Sequence, residues 1–173
     1  MAPKWAAPYH RGSFSKLAIL RLTMFEKVVF LDNDCQVIRN IDHLADAPTP
    51  SFVFHAPDLG LNSGVMVISP DLRMAQKALD LLKQSSPVYR NFSSGIPHRV
   101  QGDQEVWTAL FNAHRLRVYE LPSGYNFRWS FEMSHSERCR VHIAHLTSRV
   151  QPIFLGPKFR MLSCHLAAVT TTG

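Results

Sequence analysis

Cysteine is scarce in this chain: Cys35, Cys139 and Cys164 are odd in number and far apart, which excludes a disulfide framework and a Cys-x-x-Cys metal pattern. No apolar run approaches the roughly 18 residues that a membrane-spanning helix needs. The opening MAPKWAAPYHRGSFSK carries no apolar stretch of the kind a secretory signal requires. Charged residues make up only 18% of the chain, too few for a disordered or polyelectrolyte segment. Basic residues are scattered rather than striped among stacking aromatics, so nucleic acid is not an expected partner. No internal repeat is visible.

What is present is an ordinary globular composition, 46% apolar over 173 residues, enough to bury a core within one domain. The net charge of +6 favours anionic partners such as nucleotides or phosphates without choosing among them. Three scattered thiols suit a reducing compartment, whereas Asn91-Phe92-Ser93 matches a glycosylation acceptor. Cytoplasm and secretory lumen therefore both remain open.

The pattern along the chain reads as α/β. Ser13 or Ser15 can cap a helix carrying Leu17, Leu20, Arg21 and Met24, which feeds a strand in KVVFLD. FVFHA is a second strand. In LNSGVMVISPD a polar Asn62-Ser63-Gly64 turn precedes a buried strand, Val65 to Ile68. A helix from Asp71 to about Gln84 carries Leu72, Ala75, Leu79 and Leu82 on one face. Residues 85–102 read as a loop, Asp103 to His114 as a helix, and RVYELP and VHIAHL as strands. Alternating strands and helices imply a mostly parallel sheet with helices on both faces and a ligand site at the carboxyl ends of the strands.

The chemistry concentrates in LDNDC. Two carboxylates at i and i+2 after an apolar strand repel each other unless a cation compensates, and Mg²⁺ or Mn²⁺, with a preference for carboxylate and phosphate oxygens, would do so. The residues equally allow Asp32 to cap the next segment and Asp34 to pair with Arg39. A phosphatase of the haloacid-dehalogenase type also uses such a pair, but it expects Thr or Val where Gln36 stands here.

Five blocks in order, SKLAILRLTMFEKVVFLDNDCQVIRNIDHL, LNSGVMVISP, GDQEVWTALF, LPSGYNF and AHLTSRVQP, resemble glycosyltransferase family 8, which includes glycogenin and galactinol synthase. The resemblance runs from about Tyr9 to Pro152. It implies a Rossmann-like GT-A fold over residues 1–160 followed by an irregular tail, 161–173, and a metal-dependent transfer of a hexosyl unit from a UDP-sugar with retention of configuration. The acceptor, whether carbohydrate, lipid or protein, stays open, and Tyr125 falls in a Tyr-Asn stretch where packing is its expected role. Asp32, Asp34 and His145 would hold Mn²⁺ (or Mg²⁺), with His142 the competing histidine. Lys16, Asn62, Ser63 and Gly64 would lie at the donor, and Asp103 and Gln104 beside the reacting carbon.

The chain departs from the family pattern at Ser148, Gln151 and Ile153, where a Gly, a Lys and a Trp are usual. Family members also carry a set of strands and helices before the Asp-x-Asp, whereas only 31 residues precede Asp32. The resemblance thus implies an N-terminally incomplete domain, and a non-catalytic module on the same fold is the alternative.

Overall fold

A computed structural model of the chain describes residues 3–6, 10, 12–54, 60–85, 87–92, 94–128 and 139–146. Two compact units emerge, one of residues up to Leu31 with Asp42–Leu121, the other of Asp32–Ile41 with the residues from Pro122 onward.

The first unit is built on a four-stranded sheet, β1 (Val28–Leu31), β3 (Ser51–Phe54), β4 (Leu61–Ile68) and β7 (Tyr119–Leu121), in the order β1-β4-β3-β7. The expected mostly parallel sheet is corrected here: β4 runs antiparallel to both β1 and β3, and only β3 and β7 are parallel. A continuous apolar run such as VMVI reports burial on both faces of a sheet and is blind to strand direction.

Asn62-Ser63-Gly64 is not a turn. These residues lie within β4, which is buried along its whole length. Phe52 pairs with Met66 but Val53 pairs with Asn62, so three residues of β4 bulge away from β3. The Asn62 side chain closes the bulge, its Oδ1 accepting from Gly64 N–H at 2.8 Å. An odd number of extra residues reverses the alternation of faces. Leu61 therefore joins Phe52, Met66 and Ile68 in one core cluster.

Onto that cluster pack a 3₁₀ helix, Ser13–Arg21, and two α-helices, α1 (Leu72–Lys83) and α2 (Asp103–Ala113). The expected first helix is 3₁₀ rather than α. It is not capped by serine: Gly12 is the N-cap, and the Ser13 and Ser15 hydroxyls donate to the carbonyls of His10 and Gly12. Met24 lies beyond its end, exposed.

Helix α1 begins where expected, with Asp71 accepting from Arg73 N–H. Its buried face is rotated from the expected one, however: Ala75 and Ala78 are buried, Met74, Leu81 and Leu82 partly so, and Leu72 and Leu79 are exposed. Two overlapping apolar stripes satisfy the same 3.6-residue period, and small residues permit the closer approach.

Residues 85–102 contain an antiparallel hairpin, β5 (Val88–Arg90) and β6 (Pro97–Arg99), rather than only a loop. Gly95 makes its turn at a φ of 66°, a left-handed conformation that costs glycine little. Asn91 is buried there and its Oδ1 accepts from Ser94 N–H, which does not suit a glycosylation acceptor.

The second unit carries a three-stranded sheet in the order β2-β9-β8, made of β2 (Cys35–Val37), β8 (Phe127–Arg128) and β9 (Ile143–His145). β2 is antiparallel to β9, and β8 is parallel to it. Gly124 passes so close to Arg140 that a Cβ would collide with its carbonyl oxygen, and its own carbonyl accepts from His142 N–H. Cys164, Thr147, Pro152 and the departures at Ser148, Gln151 and Ile153 lie outside the described residues, as does the tail from 161.

Candidate functional site

Asp32 and Asp34 do not extend a strand. β1 stops at Leu31, and Cys35 N–H donates to the Asp32 carbonyl at 3.0 Å, closing a turn from which β2 starts. Strand pairing then fixes Asp34. Its carbonyl accepts from Leu146 N–H at 2.8 Å, while Cys35 sits opposite His145 in the β2/β9 register.

The Asp34 carboxylate consequently meets the end of β9, where Oδ1 lies 3.2 Å from His145 Nε2. The other ring nitrogen of His145, Nδ1, is 2.7 Å from Asn126 Oδ1. Both Asn126 and His145 are buried. An amide oxygen accepts, so Nδ1 carries a proton on that side and Nε2 is aimed at Asp34. A carboxylate oxygen and a ring nitrogen are both electron-rich, and their approach calls for a proton or a metal ion between them. Orientation of an imidazole by a hydrogen bond at its second nitrogen is how metal-binding histidines are commonly held.

Among the described residues, the group suited to a metal comprises Asp34, Cys35 and His145, each offering one ligand atom within 4.8 Å of the others. Asp32 is not in that group, so the expected trio of Asp32, Asp34 and His145 is brought together only in part. The competing histidine, His142, is used otherwise: its ring stacks on Tyr125 with centroids 4.7 Å apart, and Nδ1 faces the Asn40 carbonyl. Asp34 faces His145 rather than the Arg39 pairing left open by the sequence.

A second cluster forms in the first unit. Asp103, the first residue of α2, is buried to 2% exposure. It is not the helix cap. That place belongs to Gly102, whose N–H donates to Glu105 Oε2. The Asp103 carboxylate accepts from the Ser63 hydroxyl and lies 3.4 Å from Lys16 Nζ, which also donates to Ser63 Oγ. The β4 bulge thus serves to present Ser63, and the positive end of α2 favours the carboxylate as well.

Lys16, Ser63 and Asp103 are therefore one network, and Asn62 shapes the bulge beside it. Gln104 stands half-buried in the first turn of α2, its carbonyl accepting from Thr108 Oγ1. Sequence reasoning missed Asn126 and Cys35. Asn126 sits inside the quoted LPSGYNF and Cys35 directly after the aspartates, but only the tertiary structure shows that Asn126 Oδ1 meets the His145 ring and that Cys35 stands opposite His145.

No family model matches the chain. Curated relatives do. The chain is 40% identical over 62 residues to UDP-glucuronate:xylan alpha-glucuronosyltransferase 1 of Arabidopsis thaliana, covering 36% of the chain and 9% of that protein. It is 28% identical over 166 residues to galactinol synthase 1 of Solanum lycopersicum (82% and 48%), and 32% identical over 117 residues to glycogenin-1 of Caenorhabditis elegans (65% and 26%). It spans less than half the length of each of these relatives.

Proposed function

We propose that this chain, a homologue of family 8 glycosyltransferases with a mixed α/β fold of the GT-A-like kind, carries the metal-binding and catalytic part of an enzyme that moves a hexosyl unit from a UDP-sugar to an acceptor. The observation that carries this reading is the Asn126–His145–Asp34 chain, which aims an imidazole nitrogen and a carboxylate oxygen at one another across 3.2 Å. Asp34 and His145 would hold Mn²⁺, the oxygen and nitrogen donors suiting that ion. Asp32 would complete the set through the turn it shares with Asp34. When bound, the ion supplies positive charge that offsets the charge growing on a departing diphosphate.

The other assignments follow from the chain's own residues. Asp103, anchored by Lys16 and Ser63, would steady positive charge at the sugar carbon, and it does so with its orientation already set, which lowers the reorganisation cost. Gln104 would contact the sugar from the first turn of α2. Lys16 is committed to Asp103 and Ser63, so in this reading it positions the carboxylate rather than gripping the donor. Retention of configuration belongs to the same proposal.

The test is release of UDP from UDP-glucose, UDP-galactose and UDP-glucuronate in the presence of Mn²⁺. The expected result is turnover that disappears in Asp34→Ala and in His145→Ala, and falls about 100-fold or more in Asp103→Asn. Turnover unaffected by Asp34→Ala and His145→Ala would overturn the assignment of the site.

A further inference from the structure

The resemblance accounts for a hard-ligand site, yet the residue that the structure places beside Asp34 and His145 is a thiol. Cys35 and His145 are directly opposed in an antiparallel pair, a placement that puts the two side chains on the same face of the sheet with Cβ atoms roughly 5 Å apart. The ligand atoms of Asp34, Cys35 and His145 lie within 4.8 Å of one another.

On a tetrahedral ion with bonds of about 2.0–2.3 Å, neighbouring ligand atoms stand about 3.3–3.7 Å apart. The 3.2 Å between Asp34 Oδ1 and His145 Nε2 is already close to that spacing. The thiol of Cys35, half-buried at the start of β2, lies within 4.8 Å of both. Cys139, the other thiol among the described residues, is not a member of the cluster.

We propose that Asp34, Cys35 and His145 form a mixed oxygen–sulfur–nitrogen site that takes thiophilic divalent ions of the Zn²⁺ class in preference to Mn²⁺. Three protein ligands leave a fourth position open to water or an anion, the arrangement of an accessible zinc site rather than a closed structural one. Soft thiolate donors favour Zn²⁺ and Cd²⁺ strongly over Mn²⁺, adding to the ordinary order of affinities. The site is thus a point where zinc displaces manganese. Asp34 and His145 are shared with the proposed function, and the inference rests on that reading only through them.

Binding is read directly, without turnover. Cd²⁺ is titrated into the full chain and thiolate-to-metal charge-transfer absorption is followed. Mn²⁺ binding is measured in parallel from loss of the free-ion magnetic resonance signal. A variant carrying Cys139→Ser and Cys164→Ser keeps Cys35 as the one thiol.

The expected result is a charge-transfer band at one equivalent in that variant. The further change Cys35→Ser abolishes the band and weakens Zn²⁺ competition about 100-fold, while Mn²⁺ affinity moves less than about threefold because a hydroxyl replaces a soft donor. His145→Ala weakens both ions. Absence of the band in the Cys35-only variant, or Zn²⁺ competition left unchanged by the further Cys35→Ser, overturns the proposal. Its failure is distinguishable from that of the transferase reading: Mn²⁺-dependent UDP release with no Cd²⁺ band leaves the transferase standing alone, and a band without UDP release leaves the thiolate site standing alone.

Discussion

Lys16→Met removes the positive partner of a carboxylate that is almost fully out of water. Asp103 is 2% exposed, and its side-chain partners among the described residues are Lys16 at 3.4 Å and the Ser63 hydroxyl. Taking one member from a buried ion pair costs about 3–5 kcal/mol, chiefly through the charge left behind. The Ser63 hydroxyl and the N-terminus of α2 still favour that charge, so the low end applies and about 3 kcal/mol is expected.

With a urea slope of about 2 kcal/mol per molar, the unfolding midpoint should fall by about 1.5 M. Fluorescence is the assay. Trp5 and Trp107 both belong to the core of the first unit, and Trp129→Phe removes the remaining indole. Asp103→Asn in the Lys16→Met background should then recover about 1–2 kcal/mol, since the stranded charge is gone. A midpoint change below about 0.3 M for Lys16→Met, or strictly additive effects of the two substitutions, would refute the claim that Lys16 exists to compensate Asp103.

Further expectations concern other parts of the chain. Asn126→Ala should lower Mn²⁺ affinity about 10–100-fold by freeing the His145 ring, whereas Asn126→Asp, which keeps an acceptor at Nδ1, should restore most of it; Mn²⁺ resonance titration distinguishes them. Gly124→Ala should cost about 1–3 kcal/mol, because its Cβ would meet the Arg140 carbonyl, a backbone atom that cannot swing away; thermal unfolding reads it. Asp71→Ala should remove about 1 kcal/mol from α1.

Asp71 also predicts a pH effect. The Arg73 guanidinium first, then its backbone N–H, holds this carboxylate below the ordinary value. A depressed folded pKa means that the stabilisation is present above about pH 4 and is lost as pH falls through the folded value. The difference in melting temperature between wild type and Asp71→Ala should therefore shrink on acidification below pH 4. A difference that stays constant from pH 6 to the acid limit would count against the cap.

How much of this was legible in the residues differs from element to element. KVVFLD, FVF and VHIAHL announced β1, β3 and β9 because apolar β-rich runs bounded by polar residues have few other uses. Pro70-Asp71 announced the start of α1 for an equally local reason, a fixed φ before the helix. Local signals misled wherever pairing decided. Asn62-Ser63-Gly64 has turn composition, yet β1 pairs with β4 as far as Val65 and β3 pairs with Leu61 and Asn62, which draws those residues into a strand. The hairpin in 85–102 and the rotated face of α1 escaped for the same reason.

By itself the sequence determined an α/β chain with two aspartates just beyond an apolar strand, a histidine near its far end and a family resemblance that joins them. Only the tertiary structure decided which atoms meet. A β2/β9 register set by backbone hydrogen bonds brings Asp34 and Cys35 to His145. A three-residue bulge turns Ser63 toward Asp103. Such contacts join residues 40 or more than 100 positions apart, and their energies come from burial and pairing that no local stretch of chain contains.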